Sequence, residues 1–224
     1  MFGAIPFQQS PEGLVVVKAL SPVAWYRYGV GLTDAGGGLC SAWADQSGNG
    51  NNLVQATGGN QPAIQADNSI LFDGVDNFMQ AAFTLNQPCA YYFLGKQITW
   101  TSGDRILDGV AGTVIINQSG SGTSLAISAG VGLPFSVDPG LDTYFVACAV
   151  FNGASSVAQL NTSSATGDAG AANPGGVTVG SARTGGAQWS NIQVKEVIIF
   201  AAAHDATTRA RVIRYLAAVG GIAV

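Results

Sequence analysis

The side chains best suited to chemistry in this 224-residue chain are oxygen donors in two loops rich in glycine and asparagine. The first loop carries Asp45 and Asn49, and the second carries Asp73, Asp76 and Asn77. Carboxylate and amide oxygens on polar loops are the ligands that Ca²⁺ prefers. The same residue types also form ordinary turns, in which their side chains accept backbone amides. The sequence therefore leaves open a calcium site and a pair of turns, and we expect the turns because the glycines of the first loop already account for its shape.

Carboxylates arranged for acid–base catalysis are sparse. Glu12 and Glu196 are far apart in the sequence, so the sequence does not place two carboxyl groups together for glycoside cleavage. Glu196 is interpreted as the polar residue that opens a strand. Asp104 and Asp108 flank Arg105 in a turn-like segment and are interpreted as a local charge cluster. The sequence therefore predicts no catalytic residue, and we expect the chain not to be an enzyme.

The histidine and the cysteines also lack a catalytic or metal-binding pattern. His204 has no nucleophile near it in the sequence, so a nucleophile–histidine pair has no support. Cys40, Cys89 and Cys148 are an odd number at wide spacing among apolar neighbours, which favours buried free thiols. We expect no cofactor, with calcium as the one possible exception.

Four tryptophans could supply a flat platform for a sugar ring. Trp25 and Trp43 fit core positions of predicted strands. Trp100 and Trp189 stand beside glycine-containing turns, so they are the candidates for glycan binding.

Three segments carry a family resemblance. Residues 43–51 contain Trp-x-Asp-x-Ser-Gly-x-Gly-Asn, residues 72–78 contain Phe-Asp-Gly-x-Asp-x-Phe, and residues 196–200 read Glu-Val-Ile-Ile-Phe before a helical pattern at residues 205–216. This order resembles the bacterial and phage branch of the laminin G-like, concanavalin A-like lectin/glucanase superfamily. The resemblance spans roughly residues 23–221. It implies an all-β fold, a concanavalin A-like β-sandwich (jelly roll) of two antiparallel sheets with one short C-terminal helix.

The residue pattern agrees with one sandwich domain over residues 14–224, preceded by an apolar arm at residues 1–13 that carries Phe2, Ile5 and Phe7. Short apolar runs separated by turn residues predict the strands, the first of them at residues 15–17. Continuous apolar runs at residues 144–151 and 197–200 predict central strands covered on both faces. A Ser/Thr/Ala/Gly-rich stretch at residues 162–176 predicts a long exposed loop. The residues predicted to form the core are Trp43, Phe72, Phe78, Phe145, Val146, Val197, Ile199 and Leu216.

One helix is predicted near the C-terminus. Asp205 can cap its start, and Gly220 and Gly221 can end it in a left-handed conformation. Val212, Leu216 and Val219 recur at the spacing of one helix face. Three arginines lie off that face and are interpreted as solvated.

Composition limits the partners. Charged residues are 10% of the chain, against about 25% in typical soluble domains. The nine Lys and Arg residues are scattered and the net charge is −4, so nucleic acid is excluded as a partner. No apolar run is long enough for a membrane span and no signal peptide is recognised, so we expect synthesis in a host cytoplasm. So little charge on a soluble chain favours a surface covered by copies of itself or by other proteins, in a homo-oligomer or a larger assembly.

Three classes of function remain. The favoured one is a non-enzymatic structural protein of a bacteriophage particle, a capsid decoration or tail-associated subunit located in the virion. The alternative is a glycan-binding adhesion module, free and extracellular or attached to a virion, with a cell-surface glycan as its partner. The third is a degenerate accessory domain of a hydrolase.

Overall fold

The computed structural model describes residues 11–111, 113–183 and 185–224. Within them, two antiparallel sheets pack face to face and a C-terminal helix covers the outer face of one sheet. The predicted β-sandwich is therefore confirmed, whereas its jelly-roll connectivity stays a prediction. Phe2, Ile5 and Phe7 of the predicted arm lie outside the described residues.

The sheet that the helix covers, named the helix-side sheet, has eight strands in the order β15-β14-β13-β8-β17-β6-β5, with β1 also paired to β17. Its strands are β1 (Ala24–Tyr26), β5 (Ala63–Ile64), β6 (Ile70–Asp73), β8 (Cys89–Gln97), β13 (Phe145–Phe151), β14 (Ser156–Leu160), β15 (Ser163–Gly167) and β17 (Asn191–Phe200).

The second sheet, named the opposite sheet, has nine strands in the order β12-β11-β10-β9-β16-β7-β4-β3-β2. Its strands are β2 (Leu32–Asp34), β3 (Cys40–Trp43), β4 (Leu53–Val54), β7 (Met79–Ala82), β9 (Arg105–Asp108), β10 (Ile115–Gln118), β11 (Leu125–Ser128), β12 (Gly132–Pro134) and β16 (Gly176–Val179).

Alternating side chains of the helix-side sheet build two apolar layers. Phe145 and Val197 point between the sheets, where Trp43 also lies, whereas Val146 and Ile198 point toward the helix. Every residue of β13 is buried, as predicted for a strand covered on both faces. The three cysteines are buried and free, as predicted.

Helix α2 (Ala206–Gly220) forms as its sequence predicts. The Asp205 carboxylate accepts the Thr208 amide, and Gly221 ends the helix with φ of 70°. Val212 and Leu216 are fully buried against the helix-side sheet, because the apolar stripe matches the helical period. No helix of the described residues is long and apolar enough to cross a membrane.

Three local predictions are wrong. The segment that contains Val15 and Val17 belongs to helix α1 (Pro11–Ala19), not to a strand. Pro11 suits the first turn of a helix. Val17 is fully buried beside α2, whereas Val15 is 61% exposed. Residues two apart lie on the same face of a strand but on different faces of a helix, so this difference in burial fits a helix. The stretch predicted to be a long loop contains strand β15, which pairs with β14 at the edge of its sheet. Phe78, predicted to be in the core, is only half-buried.

His204 makes stability depend on pH. Its Nδ1 lies 2.7 Å from the Tyr92 hydroxyl oxygen, and burial lowers the pKa of the imidazole, with Arg209 acting in the same direction and Asp205 against it. A lowered pKa in the fold gives a contribution that is present above the unfolded value of about 6.5 and is lost as pH falls through the folded value.

We therefore expect wild type to lose more unfolding free energy than His204→Gln as pH falls below about 6.5, because Gln does not titrate there. Urea unfolding of both proteins at a series of pH values measures this difference. Parallel pH curves for the two proteins would contradict the assignment to His204.

Candidate functional site

The candidate site lies where two strands share one edge of β17. Strand β1 pairs with Val197–Ile199, and β6 pairs with Asn191–Val194. Between these two partners, β17 bulges against β8, and Lys195 is the extra residue of the bulge. The sheet edge is therefore open beside Lys195 and Glu196. Bulges of this kind are frequent next to active sites because they redirect side chains.

A cleft of about 310 Å³ occupies this opening, and we name it the bulge cleft. Its volume is at the lower end of the range for small-molecule sites. It is formed by the segment that leaves β1, the segment that enters β6, strand β17 and the last turns of α2. The lining residues are Arg27, Tyr28, Gly29, Val30, Asp67, Asn68, Glu196, Tyr215 and Val219.

Glu196 is the floor of the bulge cleft and is 1% exposed. Its Oε1 accepts the Trp25 indole N–H at 2.6 Å and the Tyr215 hydroxyl at 2.8 Å, while its Oε2 has the longer contact of 3.3 Å from the Tyr28 amide. Burial raises the pKa of the carboxyl, and these hydrogen bonds and the Arg27 charge oppose the rise. Glu196 therefore holds a proton to higher pH than an ordinary glutamate.

Asp67 is exposed at the rim of the same cleft. Partial burial acts to raise the pKa of its carboxyl, but hydrogen bonds from the Ser69 hydroxyl and amide and the charge of Lys195 outweigh it, so the pKa is lowered. The cleft thus has one carboxyl biased toward the protonated form and one biased toward the ionised form. Such divergence is how acid and base roles are assigned in many hydrolytic sites.

Lys195 and two tyrosines extend the rim. The Lys195 ammonium nitrogen lies 4.1 Å from the centre of the Tyr144 ring and 5.1 Å from that of Tyr28. Burial lowers the pKa of Lys195, with Lys96 acting in the same direction, while Asp67 acts to raise it. The charge of Lys195 therefore favours the ionised form of the Asp67 carboxylate.

The structure separates the two loops predicted to share a calcium ion. Trp25, whose amide bonds Asp45, pairs with Ile198 of β17, whereas Asp73 pairs with Asn191 of the same strand. Seven residues along a strand correspond to roughly 23 Å. Among the described residues, no group of three or more His, Cys, Asp or Glu side chains is placed to hold a metal ion. A single ion bound by both loops is therefore not supported.

The polar side chains of both loops are engaged in hydrogen bonds within the protein. Asp45 accepts the amides of Trp25, Ser47 and Asn51, and Asn49 donates to the Pro22 and Val23 carbonyls. In the second loop, the Asp73 carboxylate accepts two amides, and the Asn77 side chain bonds both the Asp73 amide and the Asp76 carboxylate. These contacts are those of the turns that the sequence also allowed.

We expect Asp45→Ala to lower the unfolding free energy by about 2–3 kcal/mol, because several backbone amides lose their acceptor. Asp73→Ala is the matched control and should cost about 1 kcal/mol or less, since its amides are exposed to water. Denaturant unfolding measures both variants. Calcium in millimolar excess should leave the melting temperature of the wild type unchanged, and a rise that Asp45→Ala abolishes would restore the calcium interpretation.

The two tryptophans predicted to face a glycan are half-buried. Trp100 donates its indole N–H to the Ser124 carbonyl, and Trp189 donates to the Gly185 carbonyl. Neither residue lines the bulge cleft. Trp25 and Trp43 are buried in the core, as predicted.

Two carboxylates were placed wrongly from the sequence. Glu196 does not open a strand but lies in the middle of β17, fully enclosed by groups distant in sequence. Arg105 and Asp108 belong to strand β9 and not to a turn. Asp108 is fully buried, and its oxygens are occupied by the Arg105 guanidinium and by backbone amides that include that of Arg183. Asp108 is therefore a structural carboxylate.

A second cleft of about 700 Å³ lies near the start of β1 and includes Lys18, Ser47 and Asn49. It is larger than the bulge cleft, but none of the described residues that line it is a carboxylate or a histidine. The chemistry available in the two clefts therefore favours the smaller one as the reactive site.

No protein-family model matches the sequence, and no curated protein sequence matches it significantly. Solved structures of similar fold include the Trypanosoma rangeli sialidase, at 12% identity and a TM-score of 0.59 over 88% of this chain and 32% of that one. A GH54 α-L-arabinofuranosidase matches at 13% identity and a TM-score of 0.64 over 81% of this chain and 51% of that one. An arabinofuranosidase complexed with arabinofuranosyl-α-1,2-xylobiose matches at 15% identity and a TM-score of 0.62 over 81% of this chain and 51% of that one.

This chain spans about a third of the sialidase and about half of the arabinofuranosidases. At these identities the likeness establishes the β-sandwich fold. It also overturns the interpretation as a non-enzymatic structural protein of a bacteriophage particle, because the similar structures are glycosidases, several of them with substrates or inhibitors bound. The expectation that the chain is not an enzyme falls with it.

Proposed function

We propose that this chain acts on carbohydrate, that the bulge cleft is its saccharide site, and that Glu196 and Asp67 cleave a glycosidic bond there. The observation that carries the proposal is the pair of carboxyl groups that line one cleft with pKa values displaced in opposite directions. The glycosidases of similar fold support it, although the activity of those proteins is a property of longer chains.

The roles follow from the environments. Glu196, whose pKa is raised by burial, donates its proton to the glycosidic oxygen as the bond from that oxygen to the anomeric carbon breaks. Asp67, ionised, attacks the anomeric carbon or removes a proton from the water that does so. The products are two sugars, one of which gains the hydroxyl of water. The distance between the two carboxyl groups decides which of these routes operates.

The surroundings of the pair suit a sugar. Tyr28 and Asn68 line the cleft and present polar groups for sugar hydroxyls. The Tyr215 hydroxyl and the Trp25 indole fix Glu196 in place through one oxygen, while its second oxygen has only the long contact from the Tyr28 amide. That second oxygen is the one we assign to proton donation.

Membership of the laminin G-like, concanavalin A-like superfamily is part of this proposal. Two of its three motifs provide the frame of the cleft. The Glu-Val-Ile-Ile-Phe segment contributes Glu196, and the helix that follows contributes Tyr215. The Trp-x-Asp-x-Ser-Gly segment fixes β1 through the bond from the Trp25 amide to Asp45.

A hydrolysis screen tests the proposed function. The purified chain is incubated with a panel of aryl glycosides and natural polysaccharides, and the release of aglycone or reducing sugar is measured. We expect at least one glycoside to be cleaved by wild type and by Asp168→Asn, a control that removes a charge from an exposed loop residue outside the cleft. The absence of any cleavage, together with the absence of saccharide binding, would refute the proposal.

A further inference from the structure

Arg27 stands in the wall of the bulge cleft just after β1. The central carbon of its guanidinium lies 5.2 Å from the centre of the Trp25 ring, and its charge acts to lower the pKa of Tyr215. Trp25 and Tyr215 are both buried and both bond Glu196. The guanidinium is therefore held at a fixed position above the floor of the cleft.

Among the described residues, Arg27 forms no ion pair with a carboxylate. Ion pairs among the described residues are those of Lys96 with Asp142 and of Arg105 with Asp108. The Arg27 Nε is buried and has no hydrogen-bond acceptor in the part of the chain that the structure describes. Withdrawing a cation from water without pairing it costs free energy, so a partner that supplies an oxyanion would recover that cost.

The carboxyl groups of the cleft form no ion pair with Arg27 among the described residues, although its charge acts to lower the pKa of Glu196. Asp67 interacts with Lys195, and Glu196 is biased toward its neutral form by burial. Arg27 is thus a cation in the wall of the cleft that forms no ion pair among the described residues. A guanidinium presents a planar fork of N–H donors that fits the two oxygens of a carboxylate or of a sulfate group.

We propose that Arg27 binds an anionic substituent of the saccharide, so that the bulge cleft selects acidic sugars, which carry a carboxylate or a sulfate ester, over neutral ones. This inference rests on the proposed function and adds the class of substrate to it. A carboxylate and a sulfate ester both present oxyanions to Arg27. The ligand pairs described next distinguish these two substituents.

Matched ligand pairs test the inference on the complete chain. Methyl β-glucuronide is compared with methyl β-glucoside, and N-acetylglucosamine 6-sulfate is compared with N-acetylglucosamine, by calorimetric or NMR titration. We expect wild type to prefer at least one anionic member by about ten- to hundredfold, the usual gain from a charge-assisted pair. A preference within the glucuronide pair identifies a carboxylate as the group that Arg27 binds. A preference within the N-acetylglucosamine pair identifies a sulfate ester.

Variants of Arg27 assign the preference. Arg27→Gln should bind both members of a pair equally. Arg27→Lys keeps the charge but loses the planar fork of donors, so it should retain part of the preference. The Lys variant also tests the inference if the Gln variant unfolds. Arg214→Gln removes the same charge from an exposed site on α2 and should leave the preference unchanged.

Each outcome decides the matter. Equal binding of neutral and anionic members by wild type, or a preference that survives in Arg27→Gln, would overturn the inference and leave the hydrolytic proposal in place. If no saccharide of either kind binds and none is cleaved, both proposals are refuted together.

Discussion

Asp67→Asn is expected to lower kcat for glycoside cleavage by about 10²- to 10⁴-fold, the usual loss when an acid–base group is removed. The amide keeps the oxygen that accepts the Ser69 hydroxyl and amide, so the fold should be unaffected. Activity and thermal unfolding are measured on the same preparation. Asp168→Asn, which makes the same change of charge on an exposed loop, should retain wild-type kcat.

Glu196→Gln should cause a comparable loss of activity and should also change its pH profile. In wild type the lowered pKa of Asp67 sets the acid limb, and the raised pKa of Glu196 sets the alkaline limb, because Glu196 must carry a proton. The Gln variant should lack the alkaline limb. An unchanged kcat in both variants would show that the pair is structural.

Stability separates the catalytic role of Glu196 from its structural one. A raised pKa in the fold gives a contribution that is fully present below the unfolded value of about 4.3 and is lost as pH rises through the folded value. As pH rises from the unfolded pKa to the folded pKa of Glu196, the unfolding free energy of wild type should therefore fall relative to that of Glu196→Gln. The Gln oxygen can still accept from Trp25 and Tyr215, so the variant should remain folded.

The second large effect concerns the core. Phe145→Ala or Trp43→Ala should each lower the unfolding free energy by about 3–5 kcal/mol, because a fully buried aromatic leaves a cavity between the sheets. Phe145 packs against Phe93 with ring centres 5.7 Å apart, and Trp43 packs against Tyr26 at 5.9 Å. Chemical denaturation measures both variants.

A partly exposed aromatic provides the comparison for the core variants. Phe78→Ala removes a half-buried ring and should cost clearly less than either buried position. A loss below about 1 kcal/mol for Trp43→Ala would contradict its assignment to the sandwich core.

The sequence predicts the parts of this fold whose signals are local. Helix α2 was predictable because its cap, its apolar stripe and its glycine stop all lie within one short segment. The central strands β13 and β17 were predictable because continuous apolar runs require cover on both faces. Helix α1 was missed because its consecutive valines favour a strand, and packing against α2 outweighs that preference.

The candidate site was not predictable in the same way. Glu196 is bonded by Trp25, 171 residues away in sequence, and by Tyr215 from the helix. The cleft joins segments near residues 27–30, 67–68, 196 and 215–219, which only the meeting of β1 and β6 along β17 brings together. One signal was available, namely the two adjacent charged residues Lys195 and Glu196 within strand β17, which mark the bulge.

The most direct test of the bulge cleft as the saccharide site is an NMR map of saccharide binding on the 22.7 kDa chain. The isotope-labelled protein is titrated with the glycoside that it cleaves or binds best, and the backbone amide shifts are followed. We predict that the largest shift changes fall on the amides of Tyr28, Asn68, Lys195 and Glu196. The same amides should show the largest changes when the Asp67→Asn variant is titrated. Changes centred on Trp100 and Trp189, or no changes at any saccharide concentration, would contradict the assignment of the bulge cleft.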